Sequence, residues 1–224
     1  MTSGELAQED TFRDGNSCQC CPGPIPQDMF EILCNGVFAF TMTLIVKNNF
    51  PLPSHIPADD LPFLIAYFTQ IFSDGIIFVF TFAIMAVFYI LFFEMLRNMR
   101  VLDRGFVYLS FGFLLSLIFV PLTSLLWTFS DVPIPYGVLF HANILLCGVT
   151  MIILWRHASR WWRLLIPGTG ESAVASISLR LILFPATAVA GLFLDGWDVS
   201  FGAVPITVLY AIPIVLFVIL SRDS

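Results

Sequence analysis

The sequence is poor in charged residues. Only 12% of its 224 residues are Asp, Glu, Lys or Arg, whereas 58% are hydrophobic. Soluble domains average about 25% charged and about 45–50% apolar residues. The mean hydropathy of +0.89 agrees with this excess of apolar residues. The composition therefore indicates a chain embedded in lipid and argues against a soluble enzyme, a nucleic-acid-binding protein or a disordered regulator.

Motifs for catalysis and metal binding are missing. We find no Walker loop, no His-Glu-x-x-His and no Gly-x-Ser-x-Gly. Three of the five cysteines, Cys18, Cys20 and Cys21, stand close together, but they lack the paired spacing and the histidines of a zinc site. We expect no enzymatic activity, metal or cofactor, and we leave open whether these cysteines carry lipid or have no role.

The N-terminal segment differs from the rest of the chain. Residues 1–28 are polar, with Gly, Pro and acidic residues, and six of the sixteen acids lie within the first 31 residues. No apolar period is present, and there is no basic start followed by an apolar core and a cleavage site. We predict a disordered cytosolic tail over 1–28 and a membrane domain over 29–222.

Apolar stretches recur along the membrane domain with short breaks. A helix needs about 20 apolar residues to cross the hydrocarbon core. The pattern predicts an all-α integral membrane protein with six transmembrane helices. We expect a break at Asp74-Gly75 in the second stretch and a kink at Pro185 in the fifth. The six stretches lie near 29–46, 63–96, 105–127, 135–155, 174–194 and 199–220.

Basic residues predict the orientation of the chain. Lys47 is the single basic residue on one side of the predicted membrane, and the arginines of the membrane domain lie on the other. By the positive-inside rule, both termini are cytosolic. Tryptophans near the ends of the spans are expected to form an interfacial belt. The arginines are Arg97, Arg100, Arg104, Arg156, Arg160, Arg163, Arg180 and Arg222, and the tryptophans are Trp127, Trp155, Trp161, Trp162 and Trp197.

Side chains of the first helix fall into two stripes at 100° per residue. One stripe is bulky and ends in Lys47, and the other is small. Small residues at this spacing let helices approach closely in lipid. Two interpretations stay open: ordinary membrane packing, or a pore-lining helix whose bulky side chains form a hydrophobic constriction. The bulky stripe is Leu33, Val37, Phe40, Leu44 and Lys47, and the small one is Gly36, Ala39 and Thr43.

The segment Glu31-Ile-Leu-Cys-Asn-Gly-Val-Phe-Ala-Phe-Thr-Met-Thr-Leu44 resembles the signature of the transmembrane protein 175 type of potassium channel. The match is strongest over Gly36-Val37-Phe38-Ala39, and Glu31, Thr43 and Leu44 also agree. A basic loop and an apolar run ending in Pro, over 97–121, continue the resemblance. It covers roughly residues 29–220, but only the first helix is specific.

The resemblance implies a homotetrameric channel of the single-repeat, bacterial type in the plasma membrane. Potassium or another monovalent cation would be its permeant partner, lipid would surround it, and no nucleic acid would bind. The first helix would line the pore, with Phe40, Leu44 and Lys47 as rings. Shortening Phe40 or Leu44 to Ala would then raise ion flux.

Several positions depart from the family's pattern. The Phe-Ser-Asp triplet of the signature is Leu33-Cys34-Asn35 here, and Met29 replaces its Arg. In the second helix, Tyr89 and Phe92-Phe93 stand where the family often has Trp and a pair of His. A ring of Lys47 would repel cations at the outer mouth, although this side chain could instead reach the headgroups.

These departures leave other functions open. One alternative is a non-conducting, channel-derived scaffold or sensor with a cytosolic tail, and a further one is a proton-coupled transporter. Such a transporter would use Asp74 or His141, and Asn143 is a further intramembrane polar candidate. The same residues can instead cap a helix or bond a neighbouring helix. Glu94 is expected to form an interfacial ion pair with nearby Arg97.

Overall fold

The fold was analysed in a computed structural model, which describes residues 27–49, 61–126, 136–160, 164–166, 170–196 and 203–222. The predicted all-helical fold is confirmed over these residues. Most of the predicted tail, with Cys18, Cys20 and Cys21, lies outside them, and the first helix begins two residues before the predicted boundary. The helices are α1 (Gln27–Asn49), α2 (Leu61–Arg97), α3 (Arg104–Ile118), α4 (Val120–Leu126), α5 (Tyr136–Arg160), α6 (Glu171–Gly196) and α7 (Ala203–Arg222).

Five segments are long and apolar enough to cross a membrane. They belong to α1, α2, the α3–α4 pair, α5 and α6, and α3 and α4 together make a single span. In α7, the apolar stretch Leu209–Ser221 is shorter. The sixth crossing and the cytosolic placement of both termini therefore stay predictions. The spans are Gln27–Val46, Gly75–Arg97, Arg104–Leu126, Gly137–Arg160 and Glu171–Leu194.

The predicted break at Asp74-Gly75 is wrong. Helix α2 runs without interruption for 37 residues through both positions. A glycine within a helix costs only about 1 kcal/mol relative to alanine, so apolar sequence on both sides can carry the helix through it. Asp74 thus stands within a helix, one residue before the apolar segment that starts at Gly75.

The third span is interrupted at Phe119, between α3 and α4. Pro121 causes this break, because proline has no backbone N–H to donate to the preceding turn and its ring clashes with that turn. Asn143 of α5 satisfies the backbone groups at the break. With its amide oriented to suit both partners, Nδ2 donates to the carbonyl of Ser116 and Oδ1 accepts from the N–H of Val120, each over 3.1 Å.

Aromatic rings form the centre of the core. The ring of Phe38 in α1 lies 5.9 Å from Phe92 in α2 and 6.2 Å from Phe113 in α3, measured between ring centroids. Phe92 and Phe113 stack at 5.4 Å. Pairs of aromatic rings at these separations add stability beyond their buried area, so this cluster joins α1, α2 and α3.

Helices α5 and α6 form the most extensive helix pair. Gly148 makes the close approach possible, because a Cβ atom there would collide with the ring of Pro185. Trp155 is buried in the same pair and its Nε1 donates to Ser178 Oγ over 3.0 Å. Trp155 is therefore a packing residue, and its predicted place in an interfacial belt is wrong.

Two connections meet at one end of the helices. Met99, after α2, forms an isolated β-bridge with Leu165, after α5. The N–H of Arg100 donates to the carbonyl of Leu164 over 2.7 Å. The start of α1 joins this end, since Gln27 Nε2 donates to the carbonyl of Leu96 over 3.2 Å. Both arginine-rich connections thus lie together, and we call this the basic end.

Candidate functional site: the exposed face of α1

Helix α1 is divided lengthwise into a buried face and an exposed face. Residues at intervals of three and four are buried against α2, α3 and α4, and those on the opposite side are open. This period of burial is that of a helix packed along one side only. The buried face is Phe30, Cys34, Phe38, Thr41 and Ile45, and the exposed face is Met29, Ile32, Leu33, Asn35, Gly36, Ala39, Phe40, Thr43 and Val46.

The predicted pore residues differ in exposure. The side chain of Phe40 is 59% exposed and stands clear of the subunit. Leu44 is half-buried at the edge of the exposed face. Lys47 lies in the last turn and a half of α1, but its side chain is outside the described part of the structure. Phe40 is thus more free than Leu44 to meet another chain or a pore.

Small residues occupy the middle of the exposed face. Gly36, Ala39 and Thr43 all lie on it. A Cβ atom added at Gly36 would meet nothing within 4 Å. The hydroxyl of Thr43 donates to the carbonyl of Phe40 over 2.7 Å, so its polar group is satisfied within the helix. The surface is therefore smooth and apolar there, as close approach of another helix requires.

The triplet Leu33-Cys34-Asn35, which departs from the family's signature, is divided between the two faces of α1. Leu33 is exposed, Cys34 is fully buried, and Asn35 is exposed. The amide oxygen of Asn35 accepts a hydrogen bond of 3.1 Å from the hydroxyl of Tyr89 in α2. Two residues that depart from the family's pattern thus bond each other. A hydrogen bond thus links the first two helices.

A partly buried ion pair stands near the basic end, and the predicted partner of Glu94 is wrong. Arg180 of α6 donates to both carboxylate oxygens of Glu94, over 2.8 and 3.1 Å. The Arg180 side chain is almost fully buried, and it also donates to Ser176 Oγ over 3.3 Å. Arg97, the partner expected from its nearness in sequence, is exposed. An arginine nine residues inside an apolar helix was the signal that could have identified this pair.

The first part of the chain resembles a known protein family in sequence. Residues 29–121 match the sequence model of the family described as endosomal/lysosomal potassium channel TMEM175. The matched region contains α1, α2, α3 and the start of α4. The resemblance to the TMEM175 family is confirmed. The match covers less than half of the chain and includes the whole exposed face of α1.

A solved structure of a TMEM175 homologue has the same fold. The chain is similar to a lysosomal potassium-selective channel TMEM175 homolog from Chamaesiphon minutus, with a TM-score of 0.64 and 17% sequence identity. The similarity covers 88% of this chain and 97% of the other. No curated protein sequence gives a significant match. The TMEM175-like fold thus extends beyond the region that the family model matches, into α5 and the helices after it.

The two intramembrane polar candidates on α5, His141 and Asn143, bond different partners. His141 Nδ1 lies 2.7 Å from the hydroxyl of Tyr210 in α7, and the two rings stack. Gly191 of α6 allows this arrangement, because a Cβ atom there would collide with the His141 ring. Asn143 bonds the α3–α4 break. Asp74 stands in the first half of α2. The described residues contain no group of three His, Cys, Asp or Glu placed to hold a metal.

Proposed function

We propose that this chain forms a homotetrameric potassium channel whose pore is lined by the exposed face of α1. The observation that carries this proposal is the lengthwise division of α1. Its buried face joins the helix to its own subunit, and the face that the subunit leaves open bears Phe40 and the small residues of the family signature. The names of the TMEM175 family and of the solved homologue supply the ion.

The side chains on the exposed face support assembly through α1. A face turned permanently toward lipid tails gains nothing from small residues, whereas a helix–helix contact in lipid depends on them. Gly36, Ala39 and Thr43 would let the α1 helices of neighbouring subunits approach closely. Phe40 and Leu44 lie at one edge of this strip, so four subunits packed through the strip would turn them toward a common axis.

The constriction would act by excluding water. An apolar ring narrow enough to expel water blocks ions without binding them. Phe40 is long and exposed, so four copies would close the axis more fully than four smaller side chains. Leu44 lies one turn further along α1 and would form a second ring. We infer that both rings belong to the gate, with Lys47 beyond them toward the outer mouth.

Potassium flux from liposomes tests the proposal. The full chain is reconstituted and potassium release is measured with and without a proton gradient. The proposal predicts release down the potassium gradient in both cases, because a pore needs no coupled proton. Release that requires the proton gradient would favour the transporter and remove the channel. No release from protein shown to be folded and tetrameric would favour the non-conducting scaffold.

Variants of Lys47 can distinguish a pore that Lys47 obstructs from a chain that does not conduct. The Lys47→Ala variant removes four positive charges from a tetramer, and cations would then enter with less repulsion. We expect a severalfold rise in potassium flux, with Lys47→Arg as the matched control that keeps the charge and the wild-type flux. Equal flux in all three proteins would place Lys47 away from the axis.

We further infer that the basic end faces the cytosol, together with both chain termini. The structure brings the α2–α3 and α5–α6 connections to one end, and the start of α1 lies there as well. Positive residues in short loops stay on the cytosolic side. Protease accessibility of an N-terminal epitope tag in sealed spheroplasts tests this, because a cytosolic tag is protected. Cleavage of the tag in sealed cells would reverse the orientation.

A further inference from the structure

The basic end carries an arginine rim, which we define as Arg97, Arg100, Arg104, Arg156 and Arg160. All five side chains are exposed. Within the described ranges, none of the five forms an ion pair with an acidic side chain. Positive charge at this end is thus available to a partner outside the subunit.

Two acids close to the rim, Asp103 and Glu94, are already engaged. Asp103 caps α3 by accepting from the N–H of Phe106 over 2.7 Å, and it also lies 3.1 Å from His157 Nε2 of α5. Glu94 is held by Arg180. The Asp103–His157 contact also joins the two groups of rim residues, because Arg104 and Arg156 are their chain neighbours. Neither of these two acids neutralises an arginine of the rim.

An apolar path leads away from the rim along α3. Arg104, Tyr108, Phe111 and Leu115 follow one another at intervals of four and three residues, so they share one side of the helix. All four are exposed, and Tyr108 is 73% exposed. A cationic head followed by an aromatic ring at interface depth and then by apolar side chains matches the profile of a phospholipid.

The predominance of arginine over lysine favours binding of a phosphate group. Nine of the ten basic residues in the sequence are arginine, and Lys47 is the single lysine. Lysine would satisfy the positive-inside rule equally well. Arginine differs because its planar guanidinium binds phosphate through two parallel hydrogen bonds. The rim therefore suits a phosphate group more specifically than its charge alone requires.

We propose that the arginine rim and the adjoining side of α3 bind anionic phospholipid. The headgroup phosphate lies against Arg100 and Arg104, and an acyl chain lies along Tyr108, Phe111 and Leu115. Charge complementarity selects this occupant over a second copy of the chain, because a copy docked through the same surface would place arginines against arginines. The inference is independent of whether the protein conducts potassium.

Lipid retention by the full-length protein tests this site. Wild-type protein in detergent is mixed with phosphatidylglycerol or phosphatidylcholine of identical acyl chains, and native mass spectrometry and thermal unfolding are recorded. We expect retention of phosphatidylglycerol and a higher Tm with it. The double variant R100Q/R104Q should lose about thirtyfold of this preference, at about a tenfold change per 1.4 kcal/mol. R100K/R104K keeps the charge and should retain part of it.

The controls separate the site from general effects of charge. Lys47→Gln removes a positive charge at the opposite end and should leave the preference unchanged. Equal retention of the two lipids by the wild type, or an undiminished preference in R100Q/R104Q, would overturn the proposal. Equal stabilisation by soluble glycerol phosphate would also overturn it, since a small anion site needs no acyl path. A changed oligomeric state in R100Q/R104Q with unchanged lipid preference would place a second copy on this surface instead.

Discussion

The two faces of α1 have the same helix geometry but different surroundings. On one face Phe38 is 1% exposed and contacts rings from two other helices, whereas two residues later Phe40 is 59% exposed. The same kind of side chain thus has two opposite environments within one turn. The buried face determines how α1 is held in the subunit, and the exposed face is available for assembly and conduction.

Because of this difference, substitutions on the two faces of α1 should change different properties of the protein. A substitution on the buried face creates a cavity within the subunit, so it should lower stability first. A substitution on the exposed face has little to disturb in the subunit, so it should change assembly or flux first. If both kinds of substitution gave the same result, the division of α1 would have no functional meaning.

Phe38→Ala is expected to have the largest effect. Replacing a buried phenylalanine by alanine leaves a cavity and removes packing contacts, which should cost about 2–3 kcal/mol in a membrane, where no transfer from water is involved. Phe40→Ala on the exposed face is the matched control and should change the free energy of unfolding by about 0.5 kcal/mol or less. Unfolding in mixed micelles with increasing denaturing detergent measures both. Equal losses would show that Phe40 is also part of the subunit core.

Gly36→Leu is expected to act on assembly and leave the subunit fold intact. A larger side chain meets open space at Gly36 within the subunit, and the same holds for Gly112 on α3. Gly112→Leu is therefore a matched control at a glycine that lies outside the exposed face of α1. Size-exclusion chromatography with light scattering should show tetramers for the control and smaller species for Gly36→Leu. Tetramers in both variants would remove the exposed face of α1 from the subunit interface.

Tyr89→Phe is expected to have the smallest effect. It removes the hydroxyl that bonds Asn35 and keeps the ring beside Phe38. Interhelical hydrogen bonds in membrane proteins average about 0.6 kcal/mol, so the loss of stability should be of that size. Asn35→Ala removes the other partner, and the double variant should lose no more than the larger single loss. Fully additive losses would show that the two side chains act independently.

Much of the architecture could be predicted from the sequence because apolar runs determine which segments enter the membrane. All five candidate spans fall on predicted stretches, and the family signature around Gly36 marked α1. The location of each buried polar partner could not be predicted. The Glu94–Arg180 pair joins residues 86 positions apart, and the His141–Tyr210 contact joins residues 69 apart. Such pairs depend on how helices dock, which one sequence does not contain.

Local signals along the helices also misled. Asp74-Gly75 resembles a break, yet α2 continues through it because long apolar flanks outweigh one glycine. Leu33, Val37, Phe40 and Leu44 share one stripe at 100° per residue, but the structure exposes Leu33 and Phe40 and half-buries Val37 and Leu44. The exposed face of α1 instead centres on the small residues, because Phe38 on the other side of the helix packs into the aromatic core.

Chemical modification at position 40 tests the central claim most directly. A Phe40→Cys variant is reconstituted in liposomes, and potassium flux is recorded before and after a membrane-impermeant, positively charged thiol reagent. Phe193→Cys, at an exposed phenylalanine of α6, and the wild type with its own cysteines are the controls. The proposed pore predicts that the reagent lowers flux in Phe40→Cys and in neither control. Unchanged flux in Phe40→Cys, with modification verified by mass spectrometry, would contradict a pore lined by the exposed face of α1.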